Sequence, residues 1–179
     1  MAKSTLQKEK YQDLHDLFIL KLNSLHYIER SLVDALPAMQ KAADNEELKA
    51  AFEDHLRETK EHLRRVEKAL QLLGEKPHKS QVAAIDGLIE DAQWCIKNVR
   101  EPAALDALLI AAAQYVERYE TAGYGAALDW AMLMEHKEVA ELLQATLDEE
   151  KAAYDKLTSL AEHGINQRAN TLHQAPIQM

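Results

Sequence analysis

Apolar side chains recur at helical spacing over four long stretches of the chain and one shorter one. Tyr11, Leu14, Phe18, Leu22, Leu25, Leu32 and Leu36 fall three, four or seven residues apart, which is one face of a helix over about 6–43. Pro37 lies inside that stretch, where its missing N–H and its ring predict a bend or a restart. Asp44-Asn45 reads as a turn and cap, with Glu46-Glu47 as first-turn acids. A second helix over about 46–73 carries Leu48, Phe52, Leu56, Leu63, Val66 and Leu70 and stops at Gly74. After a polar linker over 75–81, the positions Val82, Ile85, Leu88, Ile89, Ala92, Ile96 and Val99 mark a shorter amphipathic helix. Pro102, well suited to a first helical turn, opens a third long helix that reaches about Met134. The fourth runs over about 137–163 on Val139, Leu143, Leu147, Leu157 and Ala161, with Gly164 as its natural terminator. The turn between them, at Glu135-His136, contains neither Gly nor Pro.

No strand alternation competes with this pattern, so the predicted fold class is all-α. Residues 1–164 form one bundle of four long helices with a long crossover containing an additional helix. The first five residues are expected to fray, and residues 165–179, polar and aperiodic, are read as a C-terminal tail.

The same stripes carry side chains that do not belong in a dry core. On the third long helix the stripe through Leu105, Leu109, Ala112, Val116, Gly123 and Ala127 passes over Glu120, at about 100° per residue. Glu117 lies one turn earlier, at the stripe's edge. Glu29 sits between Leu25 and Leu32 on the first helix, and Glu150 between Leu147 and Tyr154 on the fourth. The second helix has no glutamate at its stripe centre; His55, Glu58 and His62 form a polar ridge on one flank, with His55 reading as nearest the core and Glu58 as furthest from it.

Height along the bundle ties these positions together. Glu29 and Glu58 are almost equidistant from the first turn, and Glu120 and Glu150 from the last. In each hairpin the acids lie level, about 22 Å from the turn at 1.5 Å per residue. The crossover is long enough to bring the second hairpin in from the opposite end, so that both pairs meet near mid-height.

A carboxylate buried alone costs several kcal/mol or becomes neutral. One glutamate on a stripe can snorkel or mark a slipped register, but four at one height call for a shared explanation: either shared protons or divalent cations. Carboxylates with one or two imidazoles suit iron and manganese, and the ferritin-like bundles hold dinuclear centres in this way. Glu117 can ligate or pair elsewhere, and His55 or His62 can supply the nitrogen. Tyr124 and Tyr154, each four residues after a core glutamate, are donors to the carboxylates or plain packing residues. Asp148 and Glu149 point off the stripe, toward water.

Composition narrows the function classes. The net charge of −9, with no basic stripe, argues against nucleic acid. The single cysteine, Cys95, excludes a disulfide framework and a four-cysteine iron site. No secretory segment or run of about 20 apolar residues points to a membrane, and the expectation is a cytoplasmic protein.

The segments His-Leu-Arg-Glu-Thr (55–59), Val-Glu-Arg-Tyr-Glu-Thr-Ala-Gly-Tyr-Gly (116–125) and Thr-Leu-Asp-Glu-Glu-Lys (146–151) resemble the YciF/YciE-type ferritin-like family. Leu-Ile-Ala-Ala-Ala-Gln (109–114) and Gly-Leu-Ile-Glu-Asp-Ala (87–92) fit it too, and the resemblance covers about residues 12–165. It implies a small bacterial stress-associated protein, a homodimeric bundle related to rubrerythrin and ferritin, with a di-iron centre. Carried over by position, it implicates Glu29, His55, Glu58, Glu117, Glu120 and Glu150 as metal ligands. Glu58 and Glu120 are candidates to bridge, with Glu29 and Glu150 terminal. The last helix departs from the wider ferritin-like pattern: Ala153, not histidine, follows Glu150 by three.

The expected cofactor is iron, two per chain, with manganese the other choice. The expected chemistry is oxidation of ferrous iron by oxygen or peroxide. The alternative is a non-enzymatic stress or interaction protein whose metal site is structural or vacant.

Overall fold

The computed structural model describes residues 11–171, which are helical almost throughout. The long helices are α1 (Leu14–Ala42), α2 (Glu46–Leu72), α4 (Pro102–Leu133) and α5 (Lys137–Leu160), with α3 (Ala83–Asn98) in the crossover and a short α6 (Asn166–Thr171) at the end. Each boundary has a local cause. The Asp13 carboxylate accepts from Asp16 N at 2.9 Å, while Asp16 Oδ2 accepts from Gln12 N at 2.8 Å, a reciprocal cap. The part of the expected first helix that precedes residue 11 lies outside the described residues. Pro37 neither breaks nor restarts α1, which continues to Ala42. Asn45 caps α2 by accepting from Glu47 N and Leu48 N.

Two helix ends share one device. At Gly74, φ is +77°, and Glu75 N bonds to Leu70 O while Gly74 N bonds to Gln71 O. This is the Schellman arrangement, which favours glycine at its left-handed residue. The end of α4 repeats it without a glycine: His136 N bonds to Ala131 O, Glu135 N bonds to Met132 O, and Glu135 takes φ +61°. The turn that carried no Gly or Pro in the sequence is therefore made by a glutamate in a strained conformation.

α1 packs on α2, α2 on α5, α5 on α4 and α4 on α1. The two ends of the bundle show how the hairpins are arranged. Asp106, in the first turns of α4 and 1% exposed, accepts from Asp44 N and Asn45 N at the α1–α2 turn. At the other end His136, in the α4–α5 turn, stacks on Phe18 near the start of α1. The second hairpin thus enters from the opposite end, and neighbouring long helices run antiparallel. α3 lies against α4 and α1, tied by the Tyr27 hydroxyl donating to Asp86 at 2.6 Å. The linker before it is held by buried Asn23, whose Oδ1 accepts from His78 N and whose Nδ2 donates to Ile19 O.

The core follows the expected stripes, with Phe18, Leu22, Leu25, Leu48, Phe52, Leu70, Leu109 and Leu143 at 0–2% exposure, but Tyr11 lies before α1 and is exposed, and Leu56 and Leu63 are half-buried. Beyond α5 the backbone leaves helical geometry at His163 and Gly164, Ile165 is buried, and α6 follows. The stretch read as a tail therefore begins with a packed residue and a short helix, anchored by Arg168 on Asp44 at 2.8 Å. No helix among the described residues is long and apolar enough to cross a membrane.

Candidate metal centre

Glu29 emerges from α1 between buried Ile28 and Leu32, Glu117 and Glu120 from α4, and Glu150 from α5. Glu29, Glu120 and Glu150 are wholly buried and Glu117 is 2% exposed. The hydrophobic face that drives each helix into the bundle carries its carboxylate inward with it. α4 approaches α1 closely here because position 123 is glycine: a Cβ there would stand 3.2 Å from Leu25 Cδ2. One residue on, the buried Tyr124 hydroxyl donates to Glu29 Oε1.

α2 supplies two imidazoles. His55 Nε2 lies 3.2 Å from Glu117 Oε1. His62 Nδ1 lies 2.9 Å from Glu150 Oε1 and 3.8 Å from Glu29 Oε2. The order of depth on α2 differs from the sequence expectation: His62 is wholly buried and His55 is 8% exposed. Its other ring nitrogen explains why. His62 Nε2 is 2.8 Å from Glu149 Oε2, and Arg65 grips the same carboxylate at 2.5 and 3.0 Å. Glu149 is therefore not a solvated side chain but the outer support of His62. One position before Glu150, it turns toward α2, and Arg65 stands one turn after His62. That register was the available signal.

Donor atoms gather in two groups, each with its atoms within 4.8 Å of one another: His55 with Glu117, Glu120 and Glu150, and Glu29 with His62 and Glu150. Glu150 belongs to both, whereas Glu120 belongs to one and Glu58 to neither. Of the six positions singled out in the sequence, five come together in these groups. Glu58 does not. It stands three residues beyond His55 on the outer flank of α2, with its side chain 47% exposed and Oε2 3.6 Å from His55 Nδ1. Tyr154 also stays out of the cluster, its ring lying under the Arg118 guanidinium at 3.7 Å.

Electrostatics describe an overfilled anionic site. Burial, followed by the nearby Glu150 charge, pushes Glu29 up to about 8, against the opposing His62 charge and Tyr124 bond. Burial and Glu150 also raise Glu117 and Glu120 well above the carboxylate range. Burial raises Glu150 as well, but the adjacent His62 imidazolium outweighs it and holds Glu150 below its ordinary value. Burial opposes a charge on His62, yet the adjacent Glu150, the Glu29 charge and the Glu149 bond carry it up to about 9. Partial burial raises Glu149, and the bonds from Arg65 and His62 more than reverse that. Without a cation, Glu150 and His62 favour their charged forms while burial drives Glu29, Glu117 and Glu120 toward their neutral ones.

Among the described residues, the buried side-chain nitrogens and oxygens without a hydrogen-bond partner all belong to Glu29, His55, His62, Glu117, Glu120 and Glu150. His62 Nδ1 and Glu150 Oε1 are among them despite their short separation, because they are not aligned for a hydrogen bond. Orphaned buried acceptors are expensive. Lone pairs converging on common points from four helices, with a carboxylate-oriented histidine behind them, fit metal cations. The residues present are compatible with a metal pair.

A four-helix bundle with a long crossover and an interior of carboxylates and imidazoles defines the ferritin-like class. Within it, the chain belongs to the family described as a domain of unknown function, DUF892, whose pattern matches residues 13–170. It is 38% identical over 157 residues to Protein YciF of Escherichia coli (strain K12), spanning 87% of this chain and 95% of that protein. The crystal structure of the E. coli stress protein YciF matches with a TM-score of 0.83 at 37% identity, over 87% of this chain and 98% of that one. YcfI from Rhodopseudomonas palustris matches at 0.82 and 36%, over 85% and 97%. A two-domain protein from Anabaena variabilis, with DJ-1/ThiJ/PfpI-like and ferritin-like domains, shares the fold: TM-score 0.57 and 15% identity, over 99% of this chain and 45% of that chain.

Proposed function

We propose that the chain holds two metal ions of the iron or manganese type in the buried cluster and serves a bacterial stress response by oxidising ferrous iron with oxygen or peroxide. The observation that carries this reading is the confinement of orphaned buried polar atoms to the six clustered side chains. Glu29 and His62 would hold one ion, His55, Glu117 and Glu120 the other, and Glu150 would be shared. Oxygen-rich donor sets with one imidazole each suit iron or manganese. When bound, such a pair supplies one-electron redox chemistry. The protein's own part is to exclude bulk water and to keep His62 oriented through Glu149 and Arg65. Tyr124 stays neutral, since burial holds its hydroxyl well above its ordinary range, and steadies Glu29. A homodimer in the cytoplasm belongs to the same reading, and light scattering of the purified chain tests the dimer.

A second reading is a structural or interaction protein whose acids remain protonated. It is favoured by the Arg65–Glu149–His62 and Tyr124–Glu29 contacts, which satisfy part of the cluster without a cation. Metal analysis of protein purified without chelator, then anaerobic ferrous loading, separates the two. The metal reading expects about two ions per chain, as a dinuclear site requires, and oxygen uptake on adding ferrous iron. Absence of bound metal after loading would sink it.

A further inference from the structure

A cavity of about 210 Å³ reaches the cluster from the side. Its inner lining includes His55 and Glu117, and its outer lining includes Glu58 and Lys156. The side chains of Ala152 and Ala153 on α5 are too short to close it. The ligands beyond it, Glu29, His62, Glu120 and Glu150, are wholly buried, so a cation arriving from water must cross protein to reach them.

The His55 ring spans inner and outer sides. Nε2 faces Glu117 Oε1 at 3.2 Å, and Nδ1 faces Glu58 Oε2 at 3.6 Å. His55 is more than nine-tenths buried, yet Nδ1 has no hydrogen-bond partner, and neither does Glu117 Oε2 on the inner side. The Nδ1–Glu58 separation is too long for a hydrogen bond. Glu58 is the half-exposed carboxylate beside this orphan nitrogen; the neighbouring Asp54 is paired with Arg57.

We infer that this cavity is the loading port of the centre, with Glu58 and His55 Nδ1 forming an outer station that first holds a hydrated divalent first-row cation and passes it to Glu117. The inference rests on the metal-centre reading and gives Glu58 a role outside the resident ligand set. An oxygen and an imidazole nitrogen suit such an ion, and a carboxylate in a low-dielectric mouth concentrates cations there. Lys156 in the same lining opposes them. Glu58 and Lys156 therefore act on the port's rate with opposite sign, beside a lining Asp54 whose charge Arg57 offsets.

Anaerobic stopped-flow mixing of chelator-stripped, desalted protein with cobaltous ion tests this, reading the visible bands of coordinated cobalt. Glu58→Gln should slow loading about tenfold, the low end of electrostatic focusing, with metal content at equilibrium unchanged. Lys156→Gln should speed it, and Ala153→Phe should slow it by filling the cavity. Opposite signs for the first two distinguish a charged port from a general loosening of the fold. Wild-type loading with unchanged rates in Glu58→Gln and Lys156→Gln would overturn the port. A lowered cobalt content in Glu58→Gln would make Glu58 a resident ligand and overturn the outer station. No cobalt bound by the wild type would remove the metal centre itself, and the port with it.

Discussion

Glu29→Gln is the substitution that best isolates what the buried acids do. Glu29 is wholly buried and its carboxyl is pushed from 4.5 to about 8 by burial and by Glu150. An acid whose folded pKa is raised contributes its full stability below 4.5 and loses it as pH climbs to about 8, because the unfolded chain ionises first. At about 1.36 kcal/mol per pH unit, keeping this carboxyl neutral at pH 7 costs the metal-free protein about 3 kcal/mol. Glutamine is neutral at every pH and can still accept from Tyr124. Metal-free Glu29→Gln should therefore melt roughly 6–12 °C above wild type at pH 7, at about 2–4 °C per kcal/mol for a chain of this size. The gap should close near pH 4.5. With metal the order reverses: binding needs the ionised carboxylate, so wild type should gain stability with rising pH and the variant should gain less. Thermal unfolding with chelator and with manganous ion, from pH 4.5 to 8, reads both arms. A metal-free variant that melts below wild type at pH 7 would refute the reasoning.

Glu149→Gln frees His62 Nε2 from its ionised partner and should weaken manganous binding by about 10–100-fold, measured by calorimetric titration, with the helical content unchanged. His62, raised from 6.5 to about 9, stabilises the metal-free fold below pH 6.5 and loses that contribution as pH rises through about 9; His62→Gln should flatten the metal-free urea midpoint over that window. Glu135→Gly relieves a left-handed residue that costs roughly 1–2 kcal/mol and should raise the melting temperature by a few degrees. Asp106→Ala strands two backbone donors at the α1–α2 turn and should cost about 3 kcal/mol by urea unfolding.

The sequence stripes located the long helices because each buries one face along its whole length. The same periodicity placed Glu29, Glu120 and Glu150 inside, since a residue flanked on its stripe by Leu, Ile or Val is carried into the core with them. It was less informative on α2. Rotation about the helix alone ranked His55 inside His62 there, whereas the contact of His62 with Glu149, itself held by Arg65, decides the order. Glu58 shows the same limit: equal height does not imply equal depth. Asp106 was silent in the sequence, and so was the Asn23 contact with His78 N, because each accepts from backbone far along the chain, which no local pattern records. Glu135 was hidden because its turn is made by a residue that ordinarily avoids the conformation.

The candidate ligands are divided between the two hairpins so that neither holds a complete group. Glu29, His55 and His62 come from the first, and Glu117, Glu120 and Glu150 from the second. Glu150 is common to both groups, and it lies on the last of the long helices. If the cluster holds metal, a growing or half-docked chain offers only part of each donor set until its halves have closed on each other. Metal capture at such a cluster would then double as an inspection of the protein's own assembly.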